Sequence, residues 1–222
     1  MLVIFDCDGV LIDSEAIFCA VDAEALTRLG HTTTAYEISE RFAGVPHQTA
    51  WTQLSSELNL KLPENWVGNL LLECERRFQT ELAPIPGAAN AIRAILERGE
   101  QACVASSTEL SSLRVNLDRA GLLTLIEPNV FSVSQVKRVK PAPDVFLYAA
   151  SQMGFDPGET IVIEDSVAGV LAAKRAGMRV FGFAGGGHAY GSLASRLSQA
   201  GAAYVCSSMA EVTDRLSSQS LV

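Results

Sequence analysis

The sequence predicts an α/β protein: a Rossmann-like, doubly wound parallel sheet with a block of helices inserted after the first strand. Three observations carry this. Short apolar runs at Leu2–Phe5, Gln101–Ser106, Thr160–Glu164 and Arg179–Phe183 read as buried strands. From Ala88 onward they alternate with helical stretches, and repeated β–α units make a parallel sheet with helices on both faces. Between Asp13 and about Thr80 no strand-like alternation persists, and apolar residues recur at helical spacing. The expected division is therefore 1–13 and 84–222 for the sheet core and 14–83 for the helical insert.

Leu2-Val3-Ile4-Phe5 is apolar throughout and forms the first strand, which runs into Asp6-Cys7-Asp8-Gly9-Val10. In an extended chain residues i and i+2 point to the same side, so Asp6 and Asp8 can face one small volume. Like charges raise each other's pKa unless a cation intervenes. A divalent metal between the two satisfies them, and so does keeping one carboxyl protonated as an acid. An Asx-type turn carrying solvated acids is the structural alternative. Ser14-Glu15 opens a helix with Ile17, Val21, Leu26 and Leu29 inward, ending at Gly30; Ser14 can cap it. Tyr36 to Phe42, a break at Gly44-Val45-Pro46, and a helix from His47 to Leu58 follow. Leu60–Pro63 is a linker. Asn65 to Glu81 is the insert's last helix, with Trp66, Leu70, Cys74 and Phe78 near one stripe; Trp51 and Trp66 read as core. Pro84–Gly87 leads back. Helices are then expected over Ala88–Arg98, Leu110–Ala120, Asp144–Met153 and Val167–Ala176, with a short strand at Val130–Ser134. Leu193–Gln199, Ala203–Val205 and Met209–Leu216 close the fold. Glycines after these helices are C′ caps. Gly185-Gly186-Gly187 lacks G-x-G-x-x-G spacing and is no nucleotide fingerprint. His31 and His188 read as surface or loop residues.

At 222 residues and 48% hydrophobic composition the chain can bury a substantial core. Its net charge of −8 argues against a nucleic-acid surface, and Arg76-Arg77 and Lys137-Arg138 are too short to reverse that. Cys7, Cys19, Cys74, Cys103 and Cys206 are odd in number and far apart, with no C-x-x-C pair. Reduced thiols in a cytoplasm are expected rather than disulfides or a zinc site. A basic-then-apolar signal segment ahead of the first strand is not expected. No apolar run reaches the roughly 18 residues that span a bilayer, so no membrane partner is expected.

Two further strands end in polar residues. Val104-Ala105 runs into Ser106-Ser107-Thr108, and Ile161-Val162-Ile163 into Glu164-Asp165-Ser166; between them lies Lys140-Pro141-Ala142-Pro143-Asp144. Each has a plain structural reading. Ser107 or Thr108 can cap the next helix, Glu164-Asp165-Ser166 can be a helix N-terminus favoured by the dipole, and Asp144 can cap while Lys140 is solvated. Taken together they point elsewhere, because a parallel sheet brings all these strand ends to one edge. Three or four carboxylates cannot share a small site without a cation. Oxygen ligands without a thiolate or imidazole cluster select Mg²⁺, which keeps positions for water and a substrate phosphate. A lysine and a hydroxyl beside it suit an anionic phosphoryl group, and a carboxylate can attack phosphorus.

In the order Asp6-Cys7-Asp8-Gly9-Val10, Ser106, Lys140 and Glu164-Asp165, these signatures resemble those of the haloacid dehalogenase-like phosphatases over essentially the whole chain. Asp8–Ser14, Lys140–Asp144 and Glu164–Gly169 resemble the branch holding β-phosphoglucomutase and small sugar-phosphate phosphatases, and the insert resembles that branch's helical cap. The resemblance implies Asp6 as nucleophile and Asp8 as general acid and base. It implies Mg²⁺ held by Asp6, the Asp8 carbonyl, Asp165 and Glu164, the last directly or through water. Ser106, Ser107 and Lys140 would bind the phosphoryl group, and Cys7 would contribute only its backbone. Gly44-Val45-Pro46-His47 resembles the cap's specificity loop, which makes His47 a substrate-contact candidate. Arg138 is a second, able to reach a substrate carboxylate as in a 6-phosphogluconate-like sugar acid. β-Phosphoglucomutase carries arginine where His47 falls, lysine where Ala43 falls and a catalytic histidine where Phe18 falls. Hydrolysis of a small phosphorylated metabolite is therefore expected, with a phosphomutase and a non-catalytic phosphate-binding module as alternatives. Asp8 and Asp165 argue against a dehalogenase, and Lys61 in its linker against a Schiff-base enzyme. A monomer or small homo-oligomer is expected.

Overall fold

The structure, a computed structural model, describes residues 1–219. Its strands are β1 (Leu2–Phe5), β2 (Gln101–Ser106), β3 (Val130–Ser132), β4 (Thr160–Glu164), β5 (Arg179–Phe183) and β6 (Tyr204–Cys206). They form one parallel sheet in the order β3-β2-β1-β4-β5-β6. Between β1 and β2 the chain forms α1 (Ser14–Arg28), α2 (Ala35–Phe42), α3 (His47–Glu57), α4 (Trp66–Glu81) and α5 (Ala88–Glu97). α6 (Leu110–Arg119) and a short α7 (Leu123–Ile126) follow β2, and α8 (Asp144–Met153) precedes β4. α9 (Val167–Arg175) follows β4, α10 (Leu193–Ala200) follows β5, and α11 (Met209–Gln219) follows β6.

Strand alternation divides the core in two. Val3, Phe5, Val104, Ile161, Ile163 and Phe181 face α5, α6 and α11 through Ile92, Ile95, Leu117 and Val212. Leu2, Ile4, Cys103, Val162 and Val180 face α8, α9 and α10 through Phe146, Ala149, Val170 and Leu197. β1 is buried on every residue because both of its faces are covered. α1 to α4 enclose an apolar cluster of their own, with Val21, Leu26, Phe42, Trp51, Leu54, Cys74 and Phe78. Its entry and exit strands run side by side: Asp13 N–H donates to Ala83 O at 2.9 Å and Ile85 N–H to Leu11 O at 2.8 Å.

The fold class is as the sequence predicts, with local differences. The strand expected at Val130–Ser134 ends at Ser132. There the serine hydroxyl accepts from Ser134 N–H at 3.1 Å and Gln135 Oε1 from Ser132 N–H at 2.8 Å, which turns the chain into a 3₁₀ turn. α7 has no counterpart among the expected helices. Ser14 does not cap α1; Asp13 holds that position and Ser14 is buried as the first helical residue. Neither Ser107 nor Thr108 caps α6, since Glu109 does so by accepting from Ser111 and Ser112. Asp144 is likewise inside α8, after Pro143. All five cysteines are free and buried. Among the described residues no helix is long and apolar enough to cross a membrane.

Candidate active site

The carboxyl ends of β1, β2 and β4 meet where the strand order reverses, which is where open α/β sheets bind ligands. Asp6 follows β1 and stays in the sheet through its N–H to Ile163 O at 2.9 Å. Its carboxylate, with those of Glu164 and Asp165, forms a buried group whose oxygens lie within 4.8 Å of one another and can hold a metal ion. Lys140 is drawn into this group, with only 5% of its side chain exposed. Its ammonium donates to Asp6 Oδ1 at 2.6 Å, Glu164 Oε1 at 2.8 Å and Ala105 O at 3.2 Å. All three protons are used, so the solvated reading of Lys140 is set aside.

Glu164 is occupied at both oxygens. Oε2 accepts from Ser166 N–H at 2.7 Å and from its hydroxyl at 2.9 Å, while that hydroxyl accepts from Gly169 N–H at the start of α9. A β-carbon at Gly169 would overlap Glu164 Oε1, so the carboxylate lies flat against α9 only because that position is glycine. Gly9, at φ +73°, lets the chain turn past Asp165, whose Oδ2 a β-carbon there would strike.

Asp8 departs from the expected geometry. Leu11 and Ile12 N–H groups donate to Cys7 O at 2.8 and 3.1 Å, which ends the extension after Asp6. The Asp8 carboxylate therefore turns toward β2, where it accepts from Ser14 Oγ at 2.7 Å, Thr108 Oγ1 at 2.6 Å and Ser106 Oγ at 3.3 Å. Ser106 is fully buried and Ser107 is exposed at the loop tip. The hydroxyls that local rules assign to helix capping are thus spent on Asp8.

The electrostatics follow from packing. Burial pushes the Asp6 carboxyl well above its usual range; Lys140 opposes this, while Glu164, Asp165 and Asp8 add to it. Burial and then Glu164 push Asp165 up, against Lys140. Burial pulls the Lys140 ammonium down, but Asp6 and Glu164 outweigh it and hold it above its usual value. Glu15 is pushed up to about 8, first by burial and then by Asp165. Cys7 is buried and its thiol is pushed up by burial and by Asp8 and Asp6, so it is packed and protonated.

The insert faces this group. A cavity of about 30 Å³ lies among Glu15, Phe18, Cys19, Asp22 and His47. The His47 ring stands edge-on to Phe18 at 4.8 Å, with Nδ1 3.6 Å from Asp22 Oδ1. Asp22 accepts from Trp51 Nε1 at 2.8 Å. Arg138 is not brought to the carboxylates: its guanidinium binds Asp144 at 3.1 and 2.9 Å and its side chain is 70% exposed. His188 corrects the sequence reading most. It lies in a loop but is 1% exposed, with Nε2 2.9 Å from Asp165 Oδ2. No periodicity or motif marks it in the sequence.

Residues 3–183 match the family described as Haloacid dehalogenase-like hydrolase. The chain belongs to that family. Among members of the haloacid dehalogenase-like hydrolases, it is 30% identical over 187 residues to the 6-phosphogluconate phosphatase of Escherichia coli (strain K12), covering 84% of this chain and 83% of that one. A conserved haloacid dehalogenase-like protein of unknown function from Agrobacterium tumefaciens is 36% identical. Its crystal structure aligns with a TM-score of 0.92 over 99% of this chain and 98% of the other. A HAD family hydrolase from Deinococcus radiodurans R1, crystallised with phosphate and sodium, is 32% identical, with a TM-score of 0.85 over 100% and 96% of the two chains. The four ordered motifs were thus sufficient to identify the family.

Proposed function

We propose that this chain is a Mg²⁺-dependent phosphomonoesterase acting on a small sugar phosphate or related phosphorylated metabolite through an aspartyl-phosphate intermediate. One observation carries the reading: Lys140 spans Asp6 and Glu164 beside Asp165, so a single ammonium stands among three buried carboxylates. That group has an excess of negative charge and offers hard oxygen atoms, with Cys7 protonated beside it. The donor set fits Mg²⁺. Asp6 and Asp165 would hold the ion together with the main-chain carbonyl of Asp8, and Glu164 would reach it through water, since both its oxygens are engaged. When bound, the ion supplies charge that keeps Asp6 ionised and offsets the charge of the phosphoryl oxygens.

The chain's own groups then divide the work. An Asp6 oxygen attacks phosphorus, the bond from phosphorus to the ester oxygen breaks, and Asp8 gives that oxygen a proton. Asp8, again a carboxylate, takes a proton from water. The water oxygen attacks phosphorus, the bond to Asp6 breaks and phosphate leaves. Lys140, Ser106 and the loop at Ser107 bind the transferring oxygens. The three hydroxyls on Asp8 hold it in place between these two proton transfers.

The insert acts as a cap over the site, excluding water and contacting the leaving group through His47. At position 18 a phenylalanine packs between His47 and Phe78, at 4.8 and 5.3 Å. No imidazole stands there to serve a mutase, which favours hydrolysis. The similarity to a 6-phosphogluconate phosphatase keeps sugar-acid phosphates among the substrates to try. Arg138 would have to leave Asp144 to bind their carboxylate. Five free, buried thiols suit a cytoplasmic setting.

The test is phosphate release with Mg²⁺ across sugar phosphates, sugar-acid phosphates and nucleoside monophosphates, with Asp6→Asn as blank. Turnover absent from the blank is expected, and Asp8→Asn should retain the fold while losing about 10²–10⁴-fold in rate. β-Glucose 1-phosphate yielding glucose 6-phosphate and no phosphate would replace the hydrolase with a mutase. Mg²⁺ or phosphate binding without turnover on any substrate would favour a binding module.

A further inference from the structure

Lys140 hydrogen-bonds to Asp6 and Glu164 and leaves Asp165 to be oriented by other groups. The side chain at Asp165 is His188. Its imidazole is wedged between Gly9 and Gly186, with Nε2 in charge-pair contact with Asp165 Oδ2 at 2.9 Å, outside hydrogen-bond geometry, and Nδ1 unpartnered. The same residue meets the insert through its backbone. Ser39 Oγ on α2 donates to His188 O, which also accepts from Tyr190 N–H at 3.0 Å. Two further contacts join α2 to this loop: Ser192 N–H donates to Glu40 Oε1 at 3.3 Å, and the Tyr36 and Tyr190 rings lie 5.1 Å apart.

We propose that His188 is a positioning residue that fixes the Asp165 carboxylate for metal binding, and that docking of α2 through Ser39 sets where His188 stands. The inference rests on Asp165 holding a divalent ion. Rotating the Asp165 carboxylate away from Asp6 separates two ligands that now lie within reach of one ion. A ring clamped between two glycines and held at its carbonyl keeps Nε2 against Asp165 Oδ2, and that polar contact resists the rotation. A hydroxyl on one element and an imidazole on a loop thereby link closure of the insert to the geometry of the metal ligands.

Calorimetric titration of the full chain with Mg²⁺ alone tests this without turnover. His188→Leu keeps volume and removes the ring nitrogens, and should raise the Mg²⁺ Kd roughly 10–100-fold. His188→Gln restores an amide at the Nε2 position and should return most of the affinity. Ser39→Ala should raise the Kd several-fold in the wild-type background and have no further effect beside His188→Leu. A folded His188→Leu chain with wild-type Mg²⁺ affinity would overturn the proposal, and so would equal losses in Leu and Gln. If His188→Leu does not fold, an unchanged Kd in Ser39→Ala overturns the link to the insert. Mg²⁺ affinity that depends on His188 in a chain inactive on every phosphate ester keeps this inference and removes the phosphatase reading. A wild-type chain that binds no Mg²⁺ removes both.

Discussion

At Glu164 one carboxylate serves two purposes. Oε1 holds Lys140 against Asp6, and Oε2 closes the turn into α9 through Ser166. Both depend on Gly169, where any side chain would occupy the carboxylate's space. Alanine suits a helix better than glycine by about 1 kcal/mol, so propensity alone predicts that Gly169→Ala stabilises. Packing predicts the opposite, because overpacking a filled site costs about 1–3 kcal/mol and here it also displaces a buried partner of Lys140. The expected outcome is a net loss of stability, with a lower urea midpoint and slower phosphate release. A raised midpoint with unchanged turnover would mean that Glu164 has room to move aside.

At the scale of the element, α2 links the insert to the site. Its start is a capping box: Thr34 Oγ1 accepts from Glu37 N–H at 3.2 Å, and Glu37 Oε2 accepts from Thr34 N–H at 2.8 Å. The helix then presents Ser39 and Glu40 to the loop that carries His188. Thr34→Ala should cost about 0.5–2 kcal/mol. The change should appear as faster amide exchange across 35–42, with exchange in β1 and β4 unchanged. Equal loosening of both regions would mean that the insert and the sheet unfold as one cooperative unit.

The elements were legible in the sequence wherever one local pattern decided them. The strand runs, the helical stripe of Leu70, Cys74 and Phe78, and the carboxylates and lysine at the strand ends needed only period and topology. Local rules offer Ser14 and Thr108 as caps, since capping is the local use of a hydroxyl, and only the fold brings Asp8 to them. They offer Asp144 as a cap likewise, whereas it lies inside α8 and pairs with Arg138. His188 follows a glycine run with no periodicity. Its burial arises from contact with Gly9, far away in the chain, and no local signal encodes it.

For the whole molecule, the strand order places β1 and its acids at the centre, where burial is deepest and charge is hardest to solvate. Burial, foremost, raises the Asp6 and Asp165 carboxyls in the folded chain, whereas unfolded aspartates titrate near about 3.9. The fold therefore favours their protonated form. Their effect on stability is most favourable below the unfolded value and is lost as pH rises through the raised folded values. Lys140, whose ammonium is held above its usual value, has the same sign: its contribution is full below the unfolded lysine value and is lost only as pH rises into the alkaline range. In chelator, then, the group should weaken the fold progressively as pH rises above the unfolded aspartate value. A divalent ion binds the ionised carboxylates and should reverse that loss. At a hundredfold excess over Kd it contributes about 2.7 kcal/mol, and each kcal/mol is roughly 2–4 °C in a chain of this size. The increase in Tm on adding Mg²⁺ should thus grow as pH rises above the unfolded aspartate value, measured against chelator in the same buffers. An increase that is already full at pH 5 would mean that Lys140 alone keeps both aspartates ionised, and that burial weighs less at this site than its depth implies.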